Sequence, residues 1–231
     1  MKDAKQKVAF FDIDGTLFRW SLFIEYVDLM FEKGVFPQSQ RRQIDKKLIA
    51  WRARKASYEE YLSELVRVFD ENIAGVPVKL FQDIVKEALE GKKERVYVFT
   101  RDFIKELKRQ GYFVVAISRS AKMALDLFTE IYDFDKVYGV MFEIVDDKFS
   151  GKVLNKDIIF DKGKVVQRVL EKENLSLEGS VAVGDTESDI AMLELVERPI
   201  AFNPNKRLYE HAKAKGWEIV VERKDVIYKI K

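Results

Sequence analysis

The sequence predicts an α/β fold, with a mostly parallel sheet covered by helices on both faces and a bundle of four helices inserted near its start. An apolar run at residues 8–11 is too short for a helix and ends at Asp12, which is typical of a buried strand. Residues 19–92 then repeat apolar side chains at helical spacing without an intervening strand. From residue 93 onward, helical segments alternate with short apolar runs, which indicates a parallel sheet.

Local signals place the four inserted helices. Gly34 is expected to end the first helix, and a second helix is expected after Pro37. Ser57 and Glu60 form a capping box immediately before an apolar periodic run, which predicts the start of the third. The fourth is expected after Pro77.

Turn and cap residues divide the rest of the chain. Thr100 is expected to cap a helix that ends near Gly111, and a strand is expected to follow and to end at Ser118. The last expected strand covers residues 218–221. The predicted domains are an α/β core of residues 1–18 and 93–231 and a helical domain of residues 19–92.

Composition limits the chemistry that this chain can perform. Because 41 Lys and Arg residues face 39 Asp and Glu residues, the formal net charge is only +2 and gives no global field that favours nucleic acid. The chain has no cysteine, which excludes thiolate chemistry, and its one histidine, His211, lies in a segment that is typical of an exposed helix. We expect a cytoplasmic monomer or homodimer, with no nucleic-acid partner and no membrane insertion.

Acidic and hydroxyl side chains follow the predicted strands. Asp12 and Asp14 come after the first strand, Ser118 after another, and Asp185 and Asp189 after a later one. Because the carboxyl ends of parallel strands meet at one edge of a sheet, we expect these side chains to share a crevice. An Asp carboxylate can attack phosphorus and form an aspartyl-phosphate, and we assign this role to Asp12. Asp14 is then expected to serve as the acid and base.

Several carboxylates in one pocket require a cation. Mg²⁺ prefers oxygen ligands and binds through one or two carboxylates together with phosphate and water. Asp12 and Asp185 are expected to be direct ligands, with the backbone carbonyl of Asp14 as a third. Asp189 is expected to hold water on the ion or to orient its neighbours.

Residues suited to binding phosphate lie beside these acids. Ser118 offers a hydroxyl, and the amides that follow it are expected to donate hydrogen bonds to phosphate. Gly15 allows a tight turn beside the phosphate. Thr16 and Arg119 complete the candidates that adjoin these motifs.

The motifs and their order resemble those of the haloacid dehalogenase superfamily. They are DIDGT at residues 12–16, Ser118 in AISRS, Lys162 in DKGK and GDTESD at residues 184–189. The resemblance covers nearly the whole chain. It implies a Rossmann-like core with a helical cap, Mg²⁺ as cofactor, and hydrolysis of a small organic phosphomonoester through an aspartyl-phosphate. It also makes Lys162 the catalytic lysine, in contact with phosphate, with Lys164 as the alternative.

Within this superfamily the chain is most similar to the phosphoserine-phosphatase-like branch, in which the helical cap lies between the first two motifs. In that branch a Glu binds the substrate's amino group and an Arg binds its carboxylate. This chain has Ser21 and Leu65 at those positions, with Arg67 nearby. Phosphoserine phosphatase and phosphotransferase activities remain alternatives.

Two other classes of function remain. Aspartyl-phosphate signalling domains also use an acidic pocket with a Ser or Thr and a Lys, but they lack an inserted cap and a second acidic motif. A non-catalytic binding protein could keep the same fold, because fold alone does not establish activity.

Overall fold

The part of the chain that the computed structural model describes, residues 5–230, contains nine strands, seven of which form one sheet. In chain order the strands are β1 (Gln6–Phe11), β2 (Phe113–Ala121), β3 (Lys136–Val140), β4 (Phe142–Val145), β5 (Lys148–Val153), β6 (Leu175–Gly184), β7 (Arg198–Phe202), β8 (Glu218–Arg223) and β9 (Val226–Ile230). The order across the large sheet is β3-β2-β1-β6-β7-β8-β9, and β4 and β5 form a separate antiparallel hairpin. In the large sheet all neighbours run parallel except β8 and β9. The mostly parallel α/β fold is confirmed.

The sheet reverses its direction of growth between β1 and β6. The chain passes from β1 to β2 and β3 on one side and then returns to β6 on the other side. Such a reversal leaves a crevice at the carboxyl ends of the two strands, where open α/β sheets bind ligands. The pairing of Phe11 with Val183 keeps these two strand ends level with each other.

Ten α-helices accompany the strands within the described residues. They are α1 (Leu22–Glu32), α2 (Gln38–Arg52), α3 (Tyr58–Asn72), α4 (Val78–Ala88), α5 (Val98–Arg109), α6 (Lys122–Thr129), α7 (Lys156–Ile159), α8 (Lys162–Lys172), α9 (Ile190–Leu193) and α10 (Lys206–Lys215). Among residues 5–230 no helix combines the length and the apolar character that crossing a bilayer requires.

The chain divides into two compact units. The α/β unit holds Met1–Ser21, Gly91–Val140 and Asn155–Lys231, and the helical unit holds Leu22–Glu90 and Met141–Leu154. The helical unit thus includes the β4–β5 hairpin, which the predicted boundaries assigned to the core. The alternation of strands and helices along the chain does not reveal which unit a hairpin packs against.

Aromatic rings form the centre of the helical unit. The ring of Tyr26 on α1 lies 6.0 Å from that of Phe69 on α3 and 5.4 Å from that of Phe81 on α4. Phe149 on β5 packs edge-on against Phe81 at 5.2 Å, and its backbone exchanges hydrogen bonds with the turn between α3 and α4. These contacts explain why the hairpin belongs to this unit, since edge-on aromatic pairs add to the free energy gained by burial.

The capping box of α3 forms as the sequence predicts. The amide of Glu60 donates to Ser57 Oγ at 3.2 Å, and the amide of Ser57 donates to Glu60 Oε1 at 3.1 Å. This signal is purely local, so it could be identified without any knowledge of the fold.

The expectation that Thr100 caps a helix was wrong. Helix α5 begins at Val98, so Thr100 lies inside it, and its hydroxyl donates to the carbonyl of Thr16 at 2.8 Å. The amides of Val98 and Phe99 instead donate to the carboxylate of Glu222 at 3.2 and 2.9 Å. This cap comes from β8, more than 120 residues away in sequence, so no local pattern could indicate it.

Two strand ends also differ from the expectations. Strand β2 continues through Ser118 to Ala121, with a shift of register after Ile117, so Ser118 lies within the strand and not at its end. Residues 218–221 were expected to form the last strand, but β9 follows and pairs antiparallel with β8. Every residue of β9 is exposed, so the strand lacks the alternation of buried and exposed positions that predicts strands.

We expect Glu222→Ala to lower the free energy of unfolding by about 1–3 kcal/mol, because it leaves two helix amides and the Arg19 guanidinium without their acceptor. Glu218→Ala, on the same strand, should cost less than ~1 kcal/mol because its ion pair with Arg198 is accessible to solvent, with the two side chains 25% and 48% exposed. Urea denaturation of both variants measures the difference, and equal losses would contradict this role for Glu222.

Candidate active site

The loop after β1 brings two carboxylates to the edge of the sheet. The residues of β1 from Val8 to Phe11 are completely buried, which fixes the strand in the sheet. The amide of Asp12 still donates to the carbonyl of Val183 at 3.0 Å, so Asp12 lies at the carboxyl end of β1 next to β6. The chain then turns at Gly15, whose φ of +84° favours glycine.

Lys162 contacts the first of these carboxylates. Its side chain is 2% exposed, and its Nζ donates to Asp12 Oδ1 at 2.5 Å and to Asp189 Oδ1. Lys162 is the first residue of α8, and Asp161 fixes that helix start by accepting the amides of Gly163 and Lys164.

Lys164 faces a different environment. It is exposed, and its Nζ lies 3.4 Å from the carbonyl oxygen of Asp157. Of the two lysines that the sequence offers, Lys162 is therefore the one in contact with Asp12.

Asp189 orients the chain after β6. Its Oδ2 accepts the amides of Asp185 and Thr186 at 2.9 and 3.0 Å, while its Oδ1 accepts from Lys162. A Cβ at position 184 would lie 2.5 Å from the Asp189 side chain, so this approach requires Gly184. Asp189 therefore links Lys162 to the loop that carries Asp185.

Two hydroxyls hold Asp14. Ser118 Oγ donates to Asp14 Oδ2 at 2.6 Å, and Ser120 Oγ donates to the same oxygen at 2.9 Å. The sequence prediction included Ser118 but missed Ser120. The available signal was their spacing, because residues two apart in a strand project to the same face.

The remaining predicted residues differ in their surroundings. Thr16 Oγ1 donates to Asp185 Oδ1 at 3.5 Å, and a Cβ at Gly15 would overlap Asp185 Oδ2. Arg119, which was predicted as a phosphate-binding residue, is exposed and donates to the carbonyl of Phe160 at 3.1 Å. The structure thus places Gly15 and Thr16 against the acidic group, and the Arg119 guanidinium is held by a neighbouring backbone segment.

The acidic residues have the donor set that Mg²⁺ prefers. Asp12, Asp185 and Asp189 each offer a carboxylate oxygen within 4.8 Å of the others. Asp12 Oδ2 is buried and accepts no hydrogen bond from any residue in the described part of the chain. Because both oxygens of Asp189 already accept hydrogen bonds, Asp12 and Asp185 are the better candidates for direct ligands.

Burial makes this group electrostatically costly. It raises the pKa of Asp12 to about 7; the Lys162 ammonium opposes this rise, and the carboxylates of Asp189 and Asp14 add to it. Burial, together with the carboxylates of Asp12 and Asp189, also raises the pKa of Asp185 well above its usual value. Burial alone would lower the pKa of Lys162, but its two carboxylate partners raise it. A divalent cation would offset the excess of negative charge.

Comparison with known proteins identifies relatives over almost the whole chain. The family model for haloacid dehalogenase-like hydrolases matches residues 9–194. A phosphoserine phosphatase from Methanocaldococcus jannaschii is 26% identical over 227 residues, which are 97% of this chain and 96% of that protein.

Solved structures share the fold. A protein of unknown function from Bordetella pertussis Tohama I has a TM-score of 0.74 at 21% identity, covering 94% of this chain and 98% of that chain. A phospho-aspartyl intermediate analogue of phosphoserine phosphatase has a TM-score of 0.64 at 25% identity, covering 96% of both chains.

In metal-free protein, Asp185→Asn should increase stability, because it removes a carboxylate whose ionised form is disfavoured. A raised pKa means that the folded state binds the proton more tightly, so the wild type loses stability as the pH rises above about 4, the ordinary pKa of an aspartate. The variant lacks this ionisation and does not lose stability in this way, so we expect its gain in the free energy of unfolding over the wild type to be larger at pH 8 than at pH 5.

Urea denaturation in chelator at pH 5 and pH 8 measures this gain. The control is Asp225→Asn at the same two pH values, because it removes a carboxylate that is exposed and lies outside the acidic group. A gain for Asp185→Asn that is the same at both pH values, or a loss at pH 8, would contradict the electrostatic interpretation.

Proposed function

Because the chain belongs to the haloacid dehalogenase-like hydrolases, we propose that it hydrolyses a small organic phosphomonoester with Asp12 as the nucleophile and Mg²⁺ as the cofactor. The observation that carries this proposal is the buried contact between Lys162 and Asp12 at the carboxyl end of β1. Asp185 offers a carboxylate oxygen beside it. A nucleophile, a cation and a metal ligand in one crevice are the groups that phosphoryl transfer requires.

The proposed reaction has two steps. In the first, an oxygen of Asp12 forms a bond to phosphorus, the bond from phosphorus to the leaving oxygen breaks, and Asp14 gives its proton to that oxygen. In the second, Asp14 takes a proton from water while the water oxygen forms a bond to phosphorus and the bond from phosphorus to the Asp12 oxygen breaks. This releases inorganic phosphate and restores the Asp12 carboxylate.

Lys162 and Mg²⁺ would both stabilise negative charge in the site. Lys162 orients Asp12 and would neutralise negative charge on the phosphoryl oxygens. Asp12 and Asp185 would hold Mg²⁺, which when bound would offset the carboxylate charges and polarise the phosphoryl group. Asp189 would keep both Lys162 and the Asp185 loop in place.

The natural substrate is proposed to differ from phosphoserine, although several relatives carry that name. Ser21 stands where the phosphoserine-phosphatase-like branch has the Glu that binds the substrate's amino group, and it is buried. Leu65 stands where the branch has the Arg that binds the carboxylate, and it is buried in the helical unit. Arg67 is already paired with Glu64 and Glu71 on its own helix, at 2.7 and 2.6 Å.

We propose that the helical unit acts as a cap that supplies other substrate contacts, because closure of a cap excludes water from the reaction. A panel of metabolite phosphates that includes phosphoserine, assayed with Mg²⁺, would identify the substrate.

Asp12→Asn should reduce turnover of 4-nitrophenyl phosphate by at least ~10³-fold, because an amide cannot form the acyl-phosphate bond. Far-UV circular dichroism should remain unchanged. Retained activity would reject Asp12 as the nucleophile.

The wild-type protein supplies the control for the metal. Turnover should stop in chelator and return when Mg²⁺ is added. An aspartyl-phosphate that forms but persists for minutes would instead favour the signalling function, and no turnover on any substrate would favour a binding protein.

Substitution of the two neighbouring lysines distinguishes their roles. Lys162→Met should lower kcat by about 10²–10³-fold, as expected when one group that stabilises the transition state is lost. Lys164→Met should stay within ~2-fold of the wild type, because Lys164 is exposed and its Nζ donates to the backbone carbonyl of Asp157. Steady-state kinetics, with thermal melting to confirm folding, measures both; comparable losses in the two variants would contradict the assignment.

A further inference from the structure

The carboxylate of Asp14 is held by two serine hydroxyls, whereas the motif predicts one serine at this place. Ser118 and Ser120 both donate to Asp14 Oδ2, at 2.6 and 2.9 Å. The amide of Ser120 also donates to Ser118 Oγ at 2.9 Å. Both serines are almost completely buried, at 1% and 2% exposure, so neither hydroxyl has bulk water as a ready alternative partner.

The shape of β2 allows both hydroxyls to reach one oxygen. Residues two apart on a strand project to the same face, and the register of β2 against β3 shifts between Ile117 and Ala121. This irregular stretch contains both serines, and the exposed Arg119 lies between them.

Ser118 cannot perform two functions at once. A serine hydroxyl has one proton to donate. If that proton is donated to a phosphate oxygen, as the sequence motifs predict for Ser118, it is no longer available to Asp14. Ser120 is then the hydroxyl that still holds Asp14 Oδ2.

We infer that Ser120 is a positioning residue that holds Asp14 for proton transfer to the leaving group while Ser118 binds phosphate. This inference rests on the proposed function. A hydroxyl that donates to Oδ2 disfavours a proton on that oxygen and so directs the proton of Asp14 to the other carboxyl oxygen. From there it passes to the leaving oxygen as the bond to phosphorus breaks, and Asp14 becomes a carboxylate that can accept a proton from water.

The dependence of rate on the leaving group tests this role. 4-Nitrophenolate leaves readily without a proton, whereas phenolate, with a pKa near that of tyrosine at about 10, gains more from protonation. We expect Ser120→Ala to lower kcat/KM for phenyl phosphate by about 10-fold or more and kcat/KM for 4-nitrophenyl phosphate by less than ~3-fold. The comparison uses kcat/KM because it reports the step in which the leaving group departs, whereas hydrolysis of the aspartyl-phosphate is common to both esters. Both esters are assayed on the same sample, so a partly unfolded variant would lower both rates equally and leave their ratio unchanged.

Three further variants complete the test. Ser180→Ala removes another buried hydroxyl, whose acceptor is the carbonyl of Leu177, and should leave the ratio of the two rates unchanged. Ser120→Thr keeps a hydroxyl and should keep a ratio close to that of the wild type. Ser118→Ala should weaken competitive inhibition by inorganic phosphate, whereas Ser120→Ala should not.

Equal losses for both esters in Ser120→Ala, or weaker inhibition by inorganic phosphate in that variant, would overturn the role of Ser120. A wild-type protein that hydrolyses neither ester with Mg²⁺ would overturn the proposed function itself, and the inference with it.

Discussion

The burial of several carboxylates around a single ammonium group is the constraint on which the rest of the site depends. Asp12, Asp185 and Asp189 bring three carboxyl groups together, and Lys162 supplies one positive charge among them. In a site with little solvent this excess of negative charge raises the pKa of Asp12 and of Asp185. A divalent cation would remove that cost, and for this reason we propose the same residues as a metal site.

This constraint explains the local geometry around the acids. Both carboxylate oxygens of Asp189 accept hydrogen bonds, one from Lys162 and the other from backbone amides. Asp189 therefore holds Lys162 and the loop after β6 in place instead of competing with Asp12 and Asp185 for the cation. Gly15 and Gly184 are the positions where a Cβ would collide with an acidic side chain. The close approach of carboxylates thus dictates glycine at two points of the backbone, one after β1 and one at the end of β6.

The sequence predicts those features whose causes lie within a few residues. The strand before Asp12, the capping box at Ser57 and the order of the acidic motifs are local patterns, and they indicated the core, the inserted helices and the acids of the site. The features that were missed have partners far away in sequence. Glu222 caps α5 from more than 120 residues further along the chain, and the acceptor of the Ser120 hydroxyl, Asp14, lies more than 100 residues before it.

The same difference between local and distant causes explains why the sequence predicts the reaction better than the substrate. The proposed nucleophile, acid and lysine all lie in the α/β unit, where the ends of parallel strands meet and a short motif fixes each side chain. Residues that select a substrate need only match its shape and charge, so no fixed spacing identifies them. Leu65 illustrates this, because its side chain is aliphatic and buried in the helical unit and has no polar group that could bind a substrate carboxylate. The motifs therefore predict the reaction, and the substrate has to be found by experiment.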